Sequence, residues 1–543
     1  MDKGWLLTIA LVMAMVFCTD AMGQQKKTKS TKKLTKQYVD YVKNKDKGKE
    51  QLAQKKSSDP ATVTRDSASQ QKPQTTFEDV FNEFRQQAKT EYENFRDQAN
   101  REYAEFVRKV WEEYKVMPAI PKPKEEEVPP VVIPEEEEDK PIEDKPLPIK
   151  DEVVPPPPAP RPQPIPVAPI KEQPKPVEKY VSFNEYGTTF KVRFNDEQRF
   201  SLKSCSSVAI ADAWELLSGP DYNNTIRDCL EIRINRQLSD WAYLMVLHKM
   251  AVSIFGKTNE ATLLMAFIYC QSGYQMRMGI SDNRLYLLYA SEHGIFDKAY
   301  FKIDGKKFYM FMADVKSMNI CNVGFPQEKP MSLLINKEQL FDYAKSPLRT
   351  LKSRDYPDVN VTLQSCVNKN ALAFYNDYPT SMLDDNVVSR WAMYANMPLP
   401  ERIKKELLPA LQSKIKGLCQ LDAMQKLLNF VQTAFVYEYD DKVWGGDRAF
   451  FPEETLYYPY CDCEDRAIFL SRIVRDLLGL KCILIYYPGH LAMAVCFTEN
   501  VKGDYIMLNG KKFVVCDPTC MGASVGMTAP GLDNQTAKVI LLE

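Results

Sequence analysis

Histidine is scarce in this chain. Of 543 residues only His248, His293 and His490 are histidines, so chemistry that needs an imidazole has three places to happen. His490 is the informative one, because it follows the turn-forming pair Pro488-Gly489 and opens an apolar stretch of strand character at 490–497. Upstream, Cys463 stands immediately before Glu464-Asp465, where an amphipathic helix begins, and downstream Asp517 closes a strand in Asp517-Pro518-Thr519. A thiol at a helix start, an imidazole at a strand start and a carboxylate at a strand end form the set that thiol acyl transfer requires. Cys463 is then the candidate nucleophile, His490 the proton shuttle and Asp517 the group that fixes the imidazole tautomer. A helix N-terminus and an imidazolium both favour a thiolate, whose parent thiol has a reference pKa of about 8.5. Glu464 and Asp465 place negative charge beside the same sulfur and oppose ionisation, so the histidine must supply most of the activation. The backbone N–H of Cys463 is the natural oxyanion donor.

That set makes a demand on topology. Were the C-terminal strands a simple meander, His490 and Asp517 would stand two strands apart, about 10 Å, too far for a hydrogen bond. The strand ending at Asp517 must therefore lie directly beside the strand starting at His490. The positioning elements are legible from periodicity. Residues 466–478 read as a helix ended by Gly479, followed by strands at 481–487, 490–497, 504–508 and 511–517, with Asn509-Gly510 as a two-residue hairpin turn. Before them, 400–416 and 421–435 read as helices, the first stopped by Gly417, and 347–375 as a strand-like, turn-rich stretch. Further upstream, 238–255 and 260–271 read as helices and 285–290, 299–303 and 307–311 as strands.

Taken together, Glu454-Thr455-Leu456, Cys461-Asp462-Cys463-Glu464-Asp465, the helix ending Leu477-Leu478-Gly479, Gly489-His490 and Asp517-Pro518-Thr519 resemble the transglutaminase-like superfamily of papain-type thiol enzymes. The resemblance covers about residues 420–543. Bacterial members commonly read Gly-Asp-Cys-Glu-Asp at the nucleophile, which matches Cys463 to the family cysteine and puts Cys461 where the family has glycine. It implies an α+β fold with the cysteine helix packed on an antiparallel sheet, action on amide bonds of peptides or proteins, and no cofactor.

A second comparison is internal. Residues 258–273 align without a gap on 464–479, matching Ala261 to Ala467, Leu263 to Phe469 and Leu264 to Leu470, and Asp304-Gly305-Lys306-Lys307-Phe308 mirrors Asn509-Gly510-Lys511-Lys512-Phe513. The earlier half reads as a degenerate copy, with Lys257 at the cysteine position, Met312 at the aspartate position and His293 as the one residue left to answer to the histidine.

The N-terminal third is of another kind. Lys3, an apolar run at 5–17 and Ala21-Met22-Gly23 read as a signal peptide over 1–23, with a lipid anchor on Cys18 as the competing reading. The chain is thus expected to be exported, to periplasm or cell surface, where disulfides are permitted among the remaining cysteines. Residues 24–59 hold 12 lysines against four acidic residues, a net of +8, and read as a solvated arm extending to 75, or a tether to an anionic surface. From 77 to 114 apolar residues recur with an 11-residue period: Phe84, Phe95 and Phe106 in one phase, Phe81, Tyr92, Tyr103 and Tyr114 in another, Ala88, Ala99 and Val110 in a third. This predicts a long helix within 76–116 whose stripe pairs with another copy, with a partner's groove or with the body of the protein. Twenty of the chain's 36 prolines fall between Pro118 and Pro176, so 117–179 reads as an extended spacer without a core of its own. Beyond it come the degenerate module at 180–345, a connecting strand-rich segment at 346–399 and the catalytic module at 400–543. A balance of 71 basic to 72 acidic residues argues against a dedicated nucleic-acid binder, and no segment is long and apolar enough for a transmembrane span.

Each candidate has a plainer reading. Cys461, Cys463, Cys516 and Cys520 suit a zinc site poorly at these spacings, and an oxidised pair among them is the better alternative, which would remove the nucleophile. His248 lies on a helix face without partners and reads as structural. Tyr457, Tyr458 and Tyr460 suit either a substrate groove or strand-edge packing. The second functional expectation is a surface interaction protein in which both modules are scaffolds and the aromatic helix carries the function.

Overall fold

The computed structural model describes residues 77–111, 116–122, 142–149, 153–154, 170–354, 361–383 and 385–543. The expected leader with Cys18 and the lysine-rich arm lie outside them. The described chain mixes helices with antiparallel sheets, and none of its helices is long and apolar enough to cross a membrane.

The first helix, α1 (Phe77–Val110), runs for 34 residues. Its buried face keeps Ala99 and Tyr103 of the expected stripe and then takes Ala104, Val107 and Trp111, whereas Phe106 is 37% exposed. The departure follows from what it packs on. Tyr103 lies 4.5 Å from the ring of Trp214, and the buried Asn100 exchanges hydrogen bonds with Gln271 at 3.1 Å while accepting from Trp214 Nε1 at 3.0 Å. The stripe thus joins the body of this same chain.

The proline-rich segment contributes β1 (Val116–Pro118), β2 (Lys145–Pro146) and β3 (Val153–Val154). A hairpin, β4 (Tyr180–Glu185) and β5 (Thr188–Arg193), leads into α2 (Ser207–Leu217), α3 (Asn223–Asn235), α4 (Asp240–Phe255) and α5 (Asn259–Gln271). Ser206, Ser239 and Thr258 cap α2, α4 and α5 by accepting a backbone N–H three residues on. Strands β6 (Met276–Ser281), β7 (Arg284–Ala290), β8 (Gly294–Ile295), β9 (Tyr300–Ile303), β10 (Lys306–Met310) and β11 (Ser317–Cys321) follow. The connecting segment holds the hairpin β12 (Arg349–Lys352) and β13 (Thr362–Ser365), then α6 (Lys369–Asn376), β14 (Ser381–Met382) and α7 (Arg390–Ala395). Residues 369–376 are thus helical where strand character was expected. Asn368 caps them, and Ala371, Leu372, Phe374 and Tyr375 turn inward.

The C-terminal part comprises α8 (Glu401–Ile415), α9 (Gln420–Ala434), β15 (Val436–Tyr437), α10 (Asp440–Val443), α11 (Pro452–Thr455), β16 (Tyr460–Cys461), α12 (Cys463–Leu478), β17 (Lys481–Tyr487), β18 (His490–Cys496), β19 (Asp504–Leu508), β20 (Lys511–Val515) and β21 (Lys538–Leu541).

The two large sheets share one strand order. The first runs β11-β6-β7-β10-β9 and the second β21-β17-β18-β20-β19, each after a helix, α5 or α12, that packs on one face. The hairpin turns Asp304-Gly305 and Asn509-Gly510 carry the positive φ pairs 48°, 79° and 50°, 73°, the backbone that two-residue turns between twisted strands demand. Pieces of the proline-rich segment lie on the edges of both sheets. β1 pairs with β11, and two residues later Ile120 N–H donates to Tyr300 O of β9 at 2.7 Å, so residues 116–120 touch both edges of the first sheet. In the second, β2 pairs with β19 and β3 with β21. These pieces close open edges that would otherwise recruit other strands. They also help cover the sheet face away from the helix, where Met117 and Ala119 pack over Leu288, Phe301, Phe308 and Met318 in the first sheet and Leu147 over Ile485, Ala494 and Phe513 in the second. Both faces being buried explains strands as continuously apolar as β17.

Candidate active site

The strand order meets the demand that the sequence made. β18 pairs with β20 through Ala494↔Val515 and Val495↔Val514, with β19 outside them, so the chain leaving β20 passes beside the start of β18. There His490 Nε2 and Asp517 Oδ2 stand 2.8 Å apart, 3% and 1% exposed. Asp517 Oδ1 accepts the Thr519 N–H at 2.9 Å, so both carboxylate oxygens are held. Burial alone would raise the Asp517 pKa. The His490 charge and these hydrogen bonds outweigh it and hold the group below the usual carboxylate range. With Nε2 on the carboxylate, Nδ1 is the ring nitrogen left for chemistry.

Cys463 is the first residue of α12, so its N–H has no partner inside the helix. The backbone N–H of Leu491, the residue after His490, favours the thiolate form of its sulfur. The thiol itself donates to Glu464 Oε2 at 3.0 Å, and no hydrogen bond joins Cys463 to His490. Burial pushes the thiol well above its ordinary pKa, and the charges of Glu464 and Asp462 push it further. The two acidic neighbours differ from those expected. Asp465 turns away, accepting the N–H of Phe450 at 2.8 Å and of Asp462 at 3.4 Å, and Asp462 takes its place beside the sulfur.

Two positioning residues escaped the sequence reading. Gln432 of α9 donates through Nε2 to the backbone oxygens of Asp517 at 3.1 Å and Ala523 at 3.0 Å. Arg466, three residues after Cys463 and 2% exposed, donates to Gln432 O at 3.1 Å, Phe435 O at 2.9 Å and Pro518 O at 3.4 Å, and its guanidinium lies 5.2 Å over the Tyr437 ring. Together they tie α9, α12 and the loop after β20 into one frame. A buried arginine at i+3 from a helix-start cysteine was the available signal, but a charged residue in an amphipathic helix reads as solvent-facing until burial is known.

Compared with protein-family models, curated proteins and solved structures, the chain finds no match.

The remaining candidates separate. All 12 cysteines from Cys205 to Cys520 are free thiols, so the oxidised pair expected among Cys461, Cys463, Cys516 and Cys520 is absent. These four form no metal-ligand cluster among the described residues. Cys516 instead lies in the core under α12, its N–H donating to Met493 O. His293 does not occupy the His490 position of the first sheet. It lies past β7 and accepts the Leu333 N–H at Nδ1, 3.1 Å, and the strand start that corresponds to His490 is Arg284. His248 packs edge-on to Phe311 at 5.2 Å. Tyr458 packs edge-on to Trp444 and tilted against Phe450, Tyr457 packs against Tyr458, and Tyr460 is 41% exposed in β16.

Proposed function

We propose that this chain is an exported, thiol-dependent acyl transferase or hydrolase acting on peptide or protein amide bonds, with residues 400–543 a transglutaminase-like module of papain type and 180–345 its degenerate copy. One observation carries the reading: the buried His490–Asp517 pair, assembled by a non-meander strand order beside Leu491, whose N–H favours the Cys463 thiolate. The shared strand order and matching hairpin turns support the second copy.

In the proposed reaction the thiol leaves Glu464 and passes its proton to His490 Nδ1 as Sγ attacks the acyl carbon. The C–N bond then breaks, and the proton goes to the departing amine. Water or an amine attacks the thioester, giving its proton to His490, which returns it to sulfur. Asp517 stabilises the imidazolium throughout, and the Cys463 N–H faces the developing oxyanion. Hydrogen bonds of this kind tighten only when substrate is bound, so a thiol resting on Glu464 is compatible with the scheme.

A second reading, a non-catalytic surface interaction protein, draws on the same resting hydrogen bond and on a cysteine only 7% exposed. Iodoacetamide separates the two. The enzyme reading expects pH-dependent alkylation at Cys463 that falls by roughly 100-fold or more in His490→Ala, and mass spectrometry then finds acyl adducts on Cys463 after incubation with envelope peptides. Slow labelling in reduced protein, indifferent to His490, leaves the scaffold.

A further inference from the structure

At rest the Cys463 thiol is engaged: it donates to Glu464 Oε2 at 3.0 Å, and the reaction proposed above cannot begin until that bond is given up. A cation stands near enough to take the carboxylate away. Arg390 opens α7, which packs against α12. Burial and the Asp447 charge raise the Glu464 pKa, and the Arg390 charge works against both. The Arg390 guanidinium lies over the Trp391 ring at 4.5 Å, and that ring stacks on Tyr486 of β17 at 5.0 Å, which fixes the side chain in place. Its Nη2 is bonded to Asp447 Oδ2, whereas its buried Nε has no acceptor. One oxygen of Asp447 and one of Glu464 lie within 4.8 Å of each other, so two carboxylates stand beside one arginine.

The two are held differently. Asp447 is 43% exposed and follows Gly445-Gly446, where Gly445 takes φ 76° and an added side chain at either glycine would meet nothing, so its backbone is free to swing. Glu464 is buried and accepts from both Cys463 and Asp462. A buried donor without an acceptor is costly, and a carboxylate brought to Nε would satisfy it in the two-pronged geometry that suits a guanidinium. We propose, resting on the thiol-enzyme reading, that Arg390 is a positioning residue: when an entering substrate displaces Asp447, Arg390 takes the Glu464 carboxylate and the released Cys463 thiol turns to His490 Nδ1. The thiol keeps its proton until it meets the imidazole. Asp447 is then the brake, and Arg390 the residue that it restrains.

The test labels the full chain with iodoacetamide across a pH series and follows the Cys463 adduct by mass spectrometry. Asp447→Asn lifts the restraint, so alkylation should quicken by at least about threefold, the coupling usual within one hydrogen-bonded set. In Arg390→Gln nothing draws Glu464 off the thiol. The rate at pH 7 should fall by at least about threefold and its rise should move to higher pH, whereas a merely loosened fold would change it alike at every pH. The deciding arm combines the changes. Asp447→Asn should give no gain in the Arg390→Gln background, and none in Glu464→Gln, where no carboxylate is left to capture and which serves if Arg390→Gln does not fold. A gain that persists in either background means that Asp447 only shields the sulfur, and it overturns the exchange, as does no gain from Asp447→Asn alone. If His490→Ala leaves alkylation unchanged while the dependence on Arg390 holds, the enzyme reading fails and the exchange stands; the reverse pattern removes the exchange alone.

Discussion

The two large sheets present the same frame with opposite contents at one end. At the start of α12, the start of β18 and the end of β20 stand Cys463, His490 and Asp517, all buried. At the matching places around the first sheet stand Lys257, Arg284 and Met312, all exposed, and Lys257 lines an open cleft of about 380 Å³ with Lys203, Cys205, Glu260 and Asn283. Turn chemistry and two-faced apolar strands suffice to build the frame, which persists without the thiol, imidazole and carboxylate. The thiol, imidazole and carboxylate are a local addition, held in the second sheet's surroundings by Gln432, Arg466 and the loop after Asp517. The first module holds Glu260 where the gapless alignment puts Arg466, and its carboxylate accepts the Leu202 N–H at 2.8 Å instead of bridging three segments.

The sharpest way to break this contrast is at the aspartate. Asp517→Asn leaves the shape but offers His490 the wrong partner, and alkylation of Cys463 should slow by about 100-fold. The mirrored changes Arg284→Ala and Met312→Asn should move the same rate by less than about twofold, as surface substitutions do. Equal effects from the two sets would mean that the modules do not differ in the way their burial indicates.

Arg466 tests the scaffold rather than the chemistry. Arg466→Leu strands three buried carbonyl groups and should cost about 3 kcal/mol in urea unfolding, while Glu260→Leu in the first module, losing one half-exposed acceptor, should cost about 1 kcal/mol. A smaller penalty at Arg466 than at Glu260 would show that the second frame stands without its internal tie.

Much of this frame was legible beforehand, and the reasons are particular. The Asn509-Gly510 turn, the Gly479 stop of α12, strands β7, β9 and β10 of the first sheet and β17 to β20 of the second follow from local periodicity and turn chemistry, which act within a few residues, whereas β6, β11 and β21 gave no such signal. The demand that β20 lie beside β18 followed from the reach of a hydrogen bond. The sulfur's choice of Glu464 over His490, the exchange of Asp465 for Asp462 and the roles of Gln432 and Arg466 were not legible, because each depends on where a side chain points after segments distant in sequence have packed. The edge strands at 116–118, 145–146 and 153–154 were hidden for another reason: proline-rich composition argues for a spacer, and only an unpaired edge nearby makes such a chain a strand.

The smallest expected effect concerns buried charge near the two helices that carry the comparison. Asp240, in the first module, is buried against the charge of Arg233 and the N–H of Ser332. Glu453, in α11 beside α12, has no such cation and accepts only the Asn368 N–H at 3.2 Å and the Tyr375 O–H at 3.0 Å. Burial pushes the Glu453 pKa up to about 7, from the ordinary glutamate value near 4.3 in the unfolded chain. Below about pH 4 both states hold the proton and the penalty is absent. Between there and about pH 7 the unfolded chain releases its proton first, so stability falls as pH rises, and above the folded pKa the loss is complete. Glu453→Gln keeps an oxygen for the Asn368 N–H, turns an amide N–H toward the Tyr375 oxygen and removes the ionisation, so it should raise stability at pH 8 by about 2 kcal/mol and change it little at pH 4. Urea melts at the two pH values measure the difference, and a gain that is equal at both would place the cause in packing rather than in charge. Asp240→Asn should show a pH dependence of the same sign but weaker, since burial still raises the Asp240 pKa while Arg233 and the Ser332 N–H offset part of that penalty.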